Sequence, residues 1–267
     1  FGFGQSPFPI PESIINSLKD NAYKNKYLPM QGLEELRSAV AEHLNKINKN
    51  NFTTNDIVIG PGTKELMFLL QIAFDGEIIL PAPSWVSYQP QAIIGNNKVN
   101  WLETSKDNNW FPTANQLENK IKSIKNKNIL LFINSPNNPS GTVCKNLKEI
   151  AEVARKYKLI LISDEIYSEL TFNEQYKSIS NYYPEGTIVS TGLSKWCGAG
   201  GWRLGFFAIP KQLENLKKSL KILCSESFSS VSAPIQHAAV EAYKGDHSIY
   251  VEATKKILSF IGNYVYE

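Results

Sequence analysis

From Gly32 onward, Leu33, Leu36, Val40, Leu44 and Ile47 recur at three- and four-residue steps, the spacing of one helix face. Beyond residue 55 the period changes, and short apolar runs alternate with helical stretches. The runs 56–59, 77–80, 98–102, 128–133, 159–163, 187–190 and 204–209 predict strands. Between them, a helix opening after Gly62 carries Leu66, Leu69, Leu70 and Ala73 on one face, and helices are predicted over 116–124 and 147–157. The runs at 128–133 (NILLFI) and 159–163 (LILIS) are apolar at successive positions, so both of their faces must be covered. That pattern belongs to parallel sheets flanked by helices. The predicted class is therefore α/β, with a mostly parallel seven-stranded sheet between helices.

The two ends read differently. Gly2, Gly4, Pro7, Pro9 and Pro11 predict irregular chain at the start, and residues 1–30 are taken as an N-terminal segment. Residues 31–247 form the predicted large domain. Over 248–267, Ala253, Ile257, Leu258, Ile261 and Val265 share a face with no glycine stop after them. This stretch is expected to be the start of a long helix leading to a small domain absent from this chain. The first residue is Phe1 rather than Met, which fits a fragment or a processed form.

Composition narrows the options by exclusion. The chain has 267 residues, 42% of them hydrophobic and 20% charged, as in ordinary globular proteins. A net charge of +3 gives no reason to expect nucleic acid or an anionic membrane as a partner. No run of about eighteen apolar residues predicts a membrane-spanning helix. Cys144, Cys197 and Cys224 are far apart, as are His43, His237 and His247, so no metal site or disulfide framework is predicted. A reducing, cytoplasmic setting is the expectation.

The candidate chemistry lies just beyond the strands, where open parallel sheets place ligands. Asp164 follows a strand that should be buried, and a carboxylate there needs a positive partner. A protonated pyridine nitrogen is one such partner; an N-cap or an ion pair with a neighbouring Lys or Arg is another. Lys195, in Gly192-Leu193-Ser194-Lys195, reads by itself as a solvated lysine in a Gly-rich loop, the commoner use of lysine. A desolvated lysine near another cation would instead be a nucleophile toward carbonyl carbon. Arg203 offers a planar fork suited to phosphate, or a structural ion pair. Gly62-Thr63-Lys64 opens a helix whose free N–H groups favour an anion, or is a plain capped start. Trp85 could stack on a flat ring or pack in the core, and Asn138 could bond a ring substituent or shape a turn.

Taken together the residues resemble the class I/II, aspartate aminotransferase-like family of fold-type I enzymes that use pyridoxal 5′-phosphate (PLP). The run Gly192-Leu193-Ser194-Lys195-Trp196-Cys197-Gly198-Ala199-Gly200-Gly201-Trp202-Arg203-Leu204-Gly205 fits the family's lysine-site signature. Asn134-Ser135-Pro136-Asn137-Asn138-Pro139-Ser140-Gly141-Thr142 and Ser163-Asp164-Glu165-Ile166-Tyr167 resemble two further hallmarks, in the family's order. The resemblance extends from about Gly4 to the chain end.

It implies a PLP-dependent aminotransferase that moves an amino group between an α-amino acid and a 2-oxo acid through a Lys195 aldimine. It implies that Asp164 pairs with the pyridinium nitrogen, that Tyr167 and Asn138 bond the ring's phenolic oxygen, and that Trp85 stacks on the ring. By the same resemblance Gly62, Thr63, Lys64, Ser194 and Arg203 hold the phosphate. Tyr27 matches a tyrosine reaching the neighbouring subunit's phosphate, which implies a homodimer. Gly4 matches a glycine whose N–H helps hold the substrate carboxylate, with Trp85 and Asn138 also at the substrate.

Two departures stand out. Gly192 lies where many relatives have a phosphate-binding serine, which shifts the load to Ser194 and Arg203. The small domain's carboxylate-clamping arginine has no counterpart here, so the fragment is expected to bind PLP better than it turns over. The same residues also serve a PLP-dependent lyase, such as a cysteine-S-conjugate β-lyase or an aminocyclopropane-carboxylate synthase-like enzyme. A PLP-sensing regulatory domain is a further reading, to which the absence of a DNA-binding segment lends no support.

Overall fold

The computed structural model describes residues 4–48, 50–126, 128–172 and 176–266. The strands are β1 (Ile57–Gly60), β2 (Glu77–Ala82), β3 (Lys98–Glu103), β4 (Ile129–Asn134), β5 (Ile160–Asp164), β6 (Thr187–Gly192) and β7 (Gly205–Ala208). They form one sheet in the order β1-β7-β6-β5-β4-β2-β3. The helices are α1 (Glu12–Asn21), α2 (Glu34–Ile47), α3 (Thr63–Ala73), α4 (Tyr88–Ile94), α5 (Ala114–Ser123), α6 (Leu147–Lys156), α7 (Glu214–Ser227), α8 (Ala233–Lys244) and α9 (Ser248–Tyr266).

Side chains of β4 alternate between two apolar layers. Leu130 and Phe132 join Leu66, Leu70 and Leu220 on one face, while Leu131 and Ile133 join Leu117, Ile121 and Ile150 on the other. Every residue of β4 is buried, as a strand covered on both sides requires. Beyond β5, the second face continues with Ile57, Ile59, Val189 and Phe206 against Leu36, Val40 and Ala239 of α2 and α8.

Each predicted strand exists within about two residues of its expected bounds, a normal uncertainty at element ends. Helices α1, α4, α7 and α8 were not foreseen. In α4 the run is only seven residues long and contains Pro90. In α7 the inward stripe is broken by Lys217, which is buried. Its ammonium lies 2.7 Å from Glu214 and 3.5 Å from Asp56, and donates to the Asn55 carbonyl. A lysine that buries its stem and finds partners for its head defeats a reading based on apolar spacing.

The sheet is mostly parallel, with one antiparallel strand that matters for the site. β7 pairs antiparallel with both β1 and β6, while β3, β2, β4, β5 and β6 run parallel. The N-terminal end of β7 therefore lies at the same edge as the C-terminal ends of its neighbours. Gly192, the last residue of β6, pairs with Gly205, the first of β7. The connection over 193–204 thus starts and ends on the functional edge and carries both Lys195 and Arg203 there. No helix among the described residues is long and apolar enough to cross a membrane.

Candidate active site

Asp164 ends β5, is 4% exposed, and enters no ion pair with a side chain among the described residues. Its Oδ2 accepts a 2.6 Å hydrogen bond from the Tyr88 hydroxyl, and Oδ1 accepts a 3.3 Å bond from the Ile166 N–H. Burial pushes its carboxyl up to about 6; the Tyr88 bond, the Ile166 bond and the charge of Lys195 act in the opposite direction.

Lys195 is half-buried, and its ammonium donates a 2.6 Å hydrogen bond to the Gly4 carbonyl and stands 5.7 Å from the centre of the Tyr167 ring. Desolvation holds its pKa below the usual lysine value. Asp164 opposes that shift and Arg203 reinforces it. A lower pKa leaves more free amine at neutral pH, the form able to attack a carbonyl carbon. Tyr167 follows β5 on the chain, and its hydroxyl accepts a bond of 3.4 Å from the Asn138 side-chain amide. The phenol of Tyr167 is pushed up by burial and by the charge of Asp164.

Asn134, the last residue of β4, fixes the neighbouring loop. Its side chain donates to the Asp164 carbonyl at 2.9 Å and accepts from the Asn138 N–H at 2.7 Å. Two adjacent strand ends are thereby locked to each other, which holds Asn138 beside Tyr167.

The anion cradle is built from backbone approach. Gly62 caps α3 with φ of +93°, and a Cβ built there would lie 2.3 Å from Arg203 Nη2. Only glycine permits both the left-handed backbone and the guanidinium's position. A Cβ on Gly205 would lie 2.6 Å from the Thr63 N. The first N–H groups of α3, the Arg203 fork and the start of β7 thus converge on one place. Arg203 itself has φ of +53°, and its Nη1 donates to the Gly200 carbonyl at 2.8 Å. Trp85 lies nearby, with the Lys64 ammonium 5.5 Å from its ring centre.

These features fit PLP. A buried carboxylate in no side-chain ion pair among the described residues suits a pyridinium nitrogen, a partly desolvated lysine suits an aldehyde, and a helix N-terminus beside an arginine suits a phosphate. The fold brings together Gly4, Lys195, Tyr167, Asn138 and Asp164, and likewise Gly62, Thr63 and Arg203, with Lys64 against Trp85. Ser194 adjoins Lys195 in the chain. Tyr27 is apart: it is 93% exposed, and no hydrogen bond or ring contact joins it to this cluster among the described residues.

Sequence reasoning missed two parts. Tyr88 is given no role by the sequence, yet it makes the shortest bond to Asp164; its spacing of three from Trp85 was the available signal. Glu165 was missed altogether. It is 1% exposed and accepts from Ser163 at 2.7 Å, from Ser178 and from Tyr176; burial pushes it up to about 7. The run Ser163-Asp164-Glu165 does not show that Glu165 turns inward onto hydroxyls, because Ser178 and Tyr176 lie more than ten residues on in the chain.

An α/β sheet with this edge defines a class of protein, and the chain belongs to the family described as aminotransferase class I and II, whose model matches residues 1–266. Among curated relatives, the aspartate aminotransferase of Bacillus sp. (strain YM-2) is 33% identical, covering 95% of this chain and 66% of its own length. The aspartate aminotransferase of Thermotoga maritima is 30% identical, covering 97% of this chain and 69% of its own length. The chain spans about two thirds of the length of the curated relatives it matches. Among solved structures, Thermus thermophilus aspartate aminotransferase with maleate superposes with a TM-score of 0.88 at 28% identity, covering 95% of this chain and 67% of that one. An aromatic aminotransferase from Pyrococcus horikoshii gives a TM-score of 0.86 at 31% identity, covering 96% and 69% respectively.

Proposed function

We propose that this chain is the cofactor-binding part of a PLP-dependent aminotransferase that moves an amino group between an α-amino acid and a 2-oxo acid. The observation that carries the reading is the joint placement of a half-buried Lys195 amine and a buried Asp164 carboxylate at one sheet edge. When bound, PLP supplies the electron withdrawal that stabilises negative charge at the substrate Cα.

The chain's own residues do the rest. The Lys195 Nζ holds the cofactor and later moves the proton at the substrate Cα, roles favoured by its lowered pKa. The Asp164 carboxylate keeps the ring nitrogen protonated, and its burial strengthens that pairing. Asn138 and Tyr167, held 3.4 Å apart, bond the ring oxygen. Trp85 covers one ring face and excludes water. The N–H groups of Gly62, Thr63 and Lys64 anchor the phosphate with Ser194 and Arg203, and Gly4 contributes at the substrate carboxylate. Tyr27 acts across a homodimer interface, where its exposure leaves it free to reach a second copy. The division into an N-terminal segment over 1–30, a cofactor-binding body over 31–247 and a linking helix from 248 belongs to the same proposal. So does a cytoplasmic setting.

The relatives bear names of both aspartate and aromatic aminotransferases, so the proposal stops at α-amino acids as a class. The test is borohydride trapping with PLP followed by peptide mass spectrometry. An adduct on Lys195 that is lost in Lys195→Ala, together with the near-visible absorbance band, is the expected result. Retention of the band in that variant, or an adduct at another lysine, would overturn the assignment. Amino transfer to 2-oxoglutarate distinguishes a transferase from a lyase, which would release ammonia and pyruvate from a cysteine conjugate.

A further inference from the structure

We propose that Glu165 is a positioning residue for Tyr167: its buried carboxylate gathers hydroxyls from both legs of the connection between β5 and β6, and so holds the leg that carries Tyr167. The proposal rests on the reading of Tyr167 as a contact to the cofactor's ring oxygen. Glu165 is 1% exposed and makes no ion pair with a side chain among the described residues. A carboxylate buried in that way is costly unless donors surround it. Here the donors are hydroxyls: Ser163 at 2.7 Å from the end of β5, and Ser178 and Tyr176 from the returning leg.

These bonds run in one direction. The Asn50 side-chain N–H donates to Ser180 Oγ at 2.7 Å, and the Ser180 and Ser178 hydroxyls lie 2.6 Å apart. The Ser178 proton goes to Glu165, so Ser180 donates to Ser178. The chain therefore leads from Asn50 through Ser180 and Ser178 to Glu165, and it closes only on an acceptor. Asn50, Ser178 and Ser180 are themselves buried, so an apolar residue at 165 would leave one proton of the chain without an acceptor among these groups.

The backbone carries this hold to Tyr167. The Glu165 N–H donates to the Ser190 carbonyl at 2.8 Å, and the Glu165 carbonyl accepts from the Ser168 N–H at 2.9 Å and from the Thr191 hydroxyl at 3.3 Å. Residue 165 is thus tied to β6 on one side and to the helical turn Ser168–Leu170 on the other. Tyr167 lies between those ties, and its carbonyl accepts from the Leu170 N–H at 2.9 Å. Its hydroxyl meets the Asn138 amide at 3.4 Å, too long for that bond to set the phenol's place by itself. The backbone at 165–168 has to do so.

A buried cluster that only stabilises the sheet would leave Tyr167 unaffected, and a double-mutant cycle separates the two cases. Ser178→Ala removes one donor on the returning leg, Glu165→Ala removes the acceptor, and Glu165→Gln keeps an acceptor oxygen and the size. PLP affinity is measured for each, alone and combined with Tyr167→Phe. Ser178→Ala is expected to weaken binding about three- to tenfold, since no more than one hydrogen bond to a charged group can be transmitted. Glu165→Ala should weaken it at least as much, and Glu165→Gln should return to within about twofold of the parent. In the Tyr167→Phe background the same changes should cost less than about twofold, the mark of residues acting through one group. In the cofactor-free protein, hydrogen exchange over 166–172 should be faster in Ser178→Ala than in the parent and parent-like in Glu165→Gln. Exchange over β4 should not change.

Equal losses with and without the Tyr167 hydroxyl would overturn the proposal, as would unchanged exchange over 166–172 in Ser178→Ala. If Glu165→Ala fails to fold, the Ser178→Ala cycle decides. If the parent itself failed to bind PLP, the proposed function would fall, and the exchange over 166–172 would still decide whether Glu165 holds that leg.

Discussion

Placing serine at position 192 would restore the hydroxyl that the family resemblance leads one to look for, yet the structure makes that change costly. Gly192 closes β6 opposite Gly205 of β7. A Cβ built on Gly192 lies 2.7 Å from the Gly205 Cα and 2.7 Å from the Leu204 carbonyl oxygen. Both are backbone atoms, so no rotamer change relieves the contact. The two strands must part by several tenths of an ångström, and their connection carries Lys195 and Arg203. Overpacking of a tight interior costs about 1–3 kcal/mol, and immovable backbone places this case near the upper end. At about 2–4 °C per kcal/mol for domains near this size, Gly192→Ser should lower the melting temperature by about 6–12 °C. Urea unfolding should show a lower midpoint with an unchanged slope. Gly201→Ala is the control, because a Cβ there meets nothing within 4 Å. It should stay within about 0.5 kcal/mol of the parent. A Gly192→Ser protein that melts within about 1 °C of the parent would refute the reasoning. PLP affinity of that variant should not rise.

Two further outcomes follow from the charges. The folded state raises Asp164 to about 6 and Glu165 to about 7, above their ordinary values, so between roughly pH 4 and 7 it binds more protons than the unfolded chain. These two groups therefore destabilise the cofactor-free protein above pH 7, and that penalty fades as pH falls through the same window. Urea midpoints should rise on acidification from pH 8 toward pH 5, and the rise should be smaller in Glu165→Gln; a midpoint that falls steadily over that range would contradict the burial argument. Arg203→Lys keeps the charge but loses the planar fork above Gly62, and should weaken direct binding of inorganic phosphate to the cofactor-free protein about tenfold, read by titration calorimetry. Equal phosphate affinity in both proteins would show that a point charge suffices.

Much of this molecule was legible in the residue order. Strand β4 announces its double burial through successive apolar side chains, because no polar face is left for water. The strand positions and the α/β class followed from that period change, as did the polar residues clustered after the strands. Lys195 by itself was ambiguous, and its meaning came from the company of Asp164, Asn138, Tyr167 and Arg203.

What the sequence could not decide were contacts between segments far apart in the chain. Tyr88 and Asp164 are separated by 76 residues, and only the pairing of sheet strands sets their oxygens 2.6 Å apart. The direction of β7 is likewise a tertiary outcome: a short apolar run looks the same in either orientation, yet only the antiparallel one brings Arg203 to the edge where α3 begins. Local composition and periodicity determined which segments must be buried, since burial is a property of side chains taken one by one. Register, strand direction and the buried hydroxyl partners of Glu165 came from close packing, which depends on all segments at once.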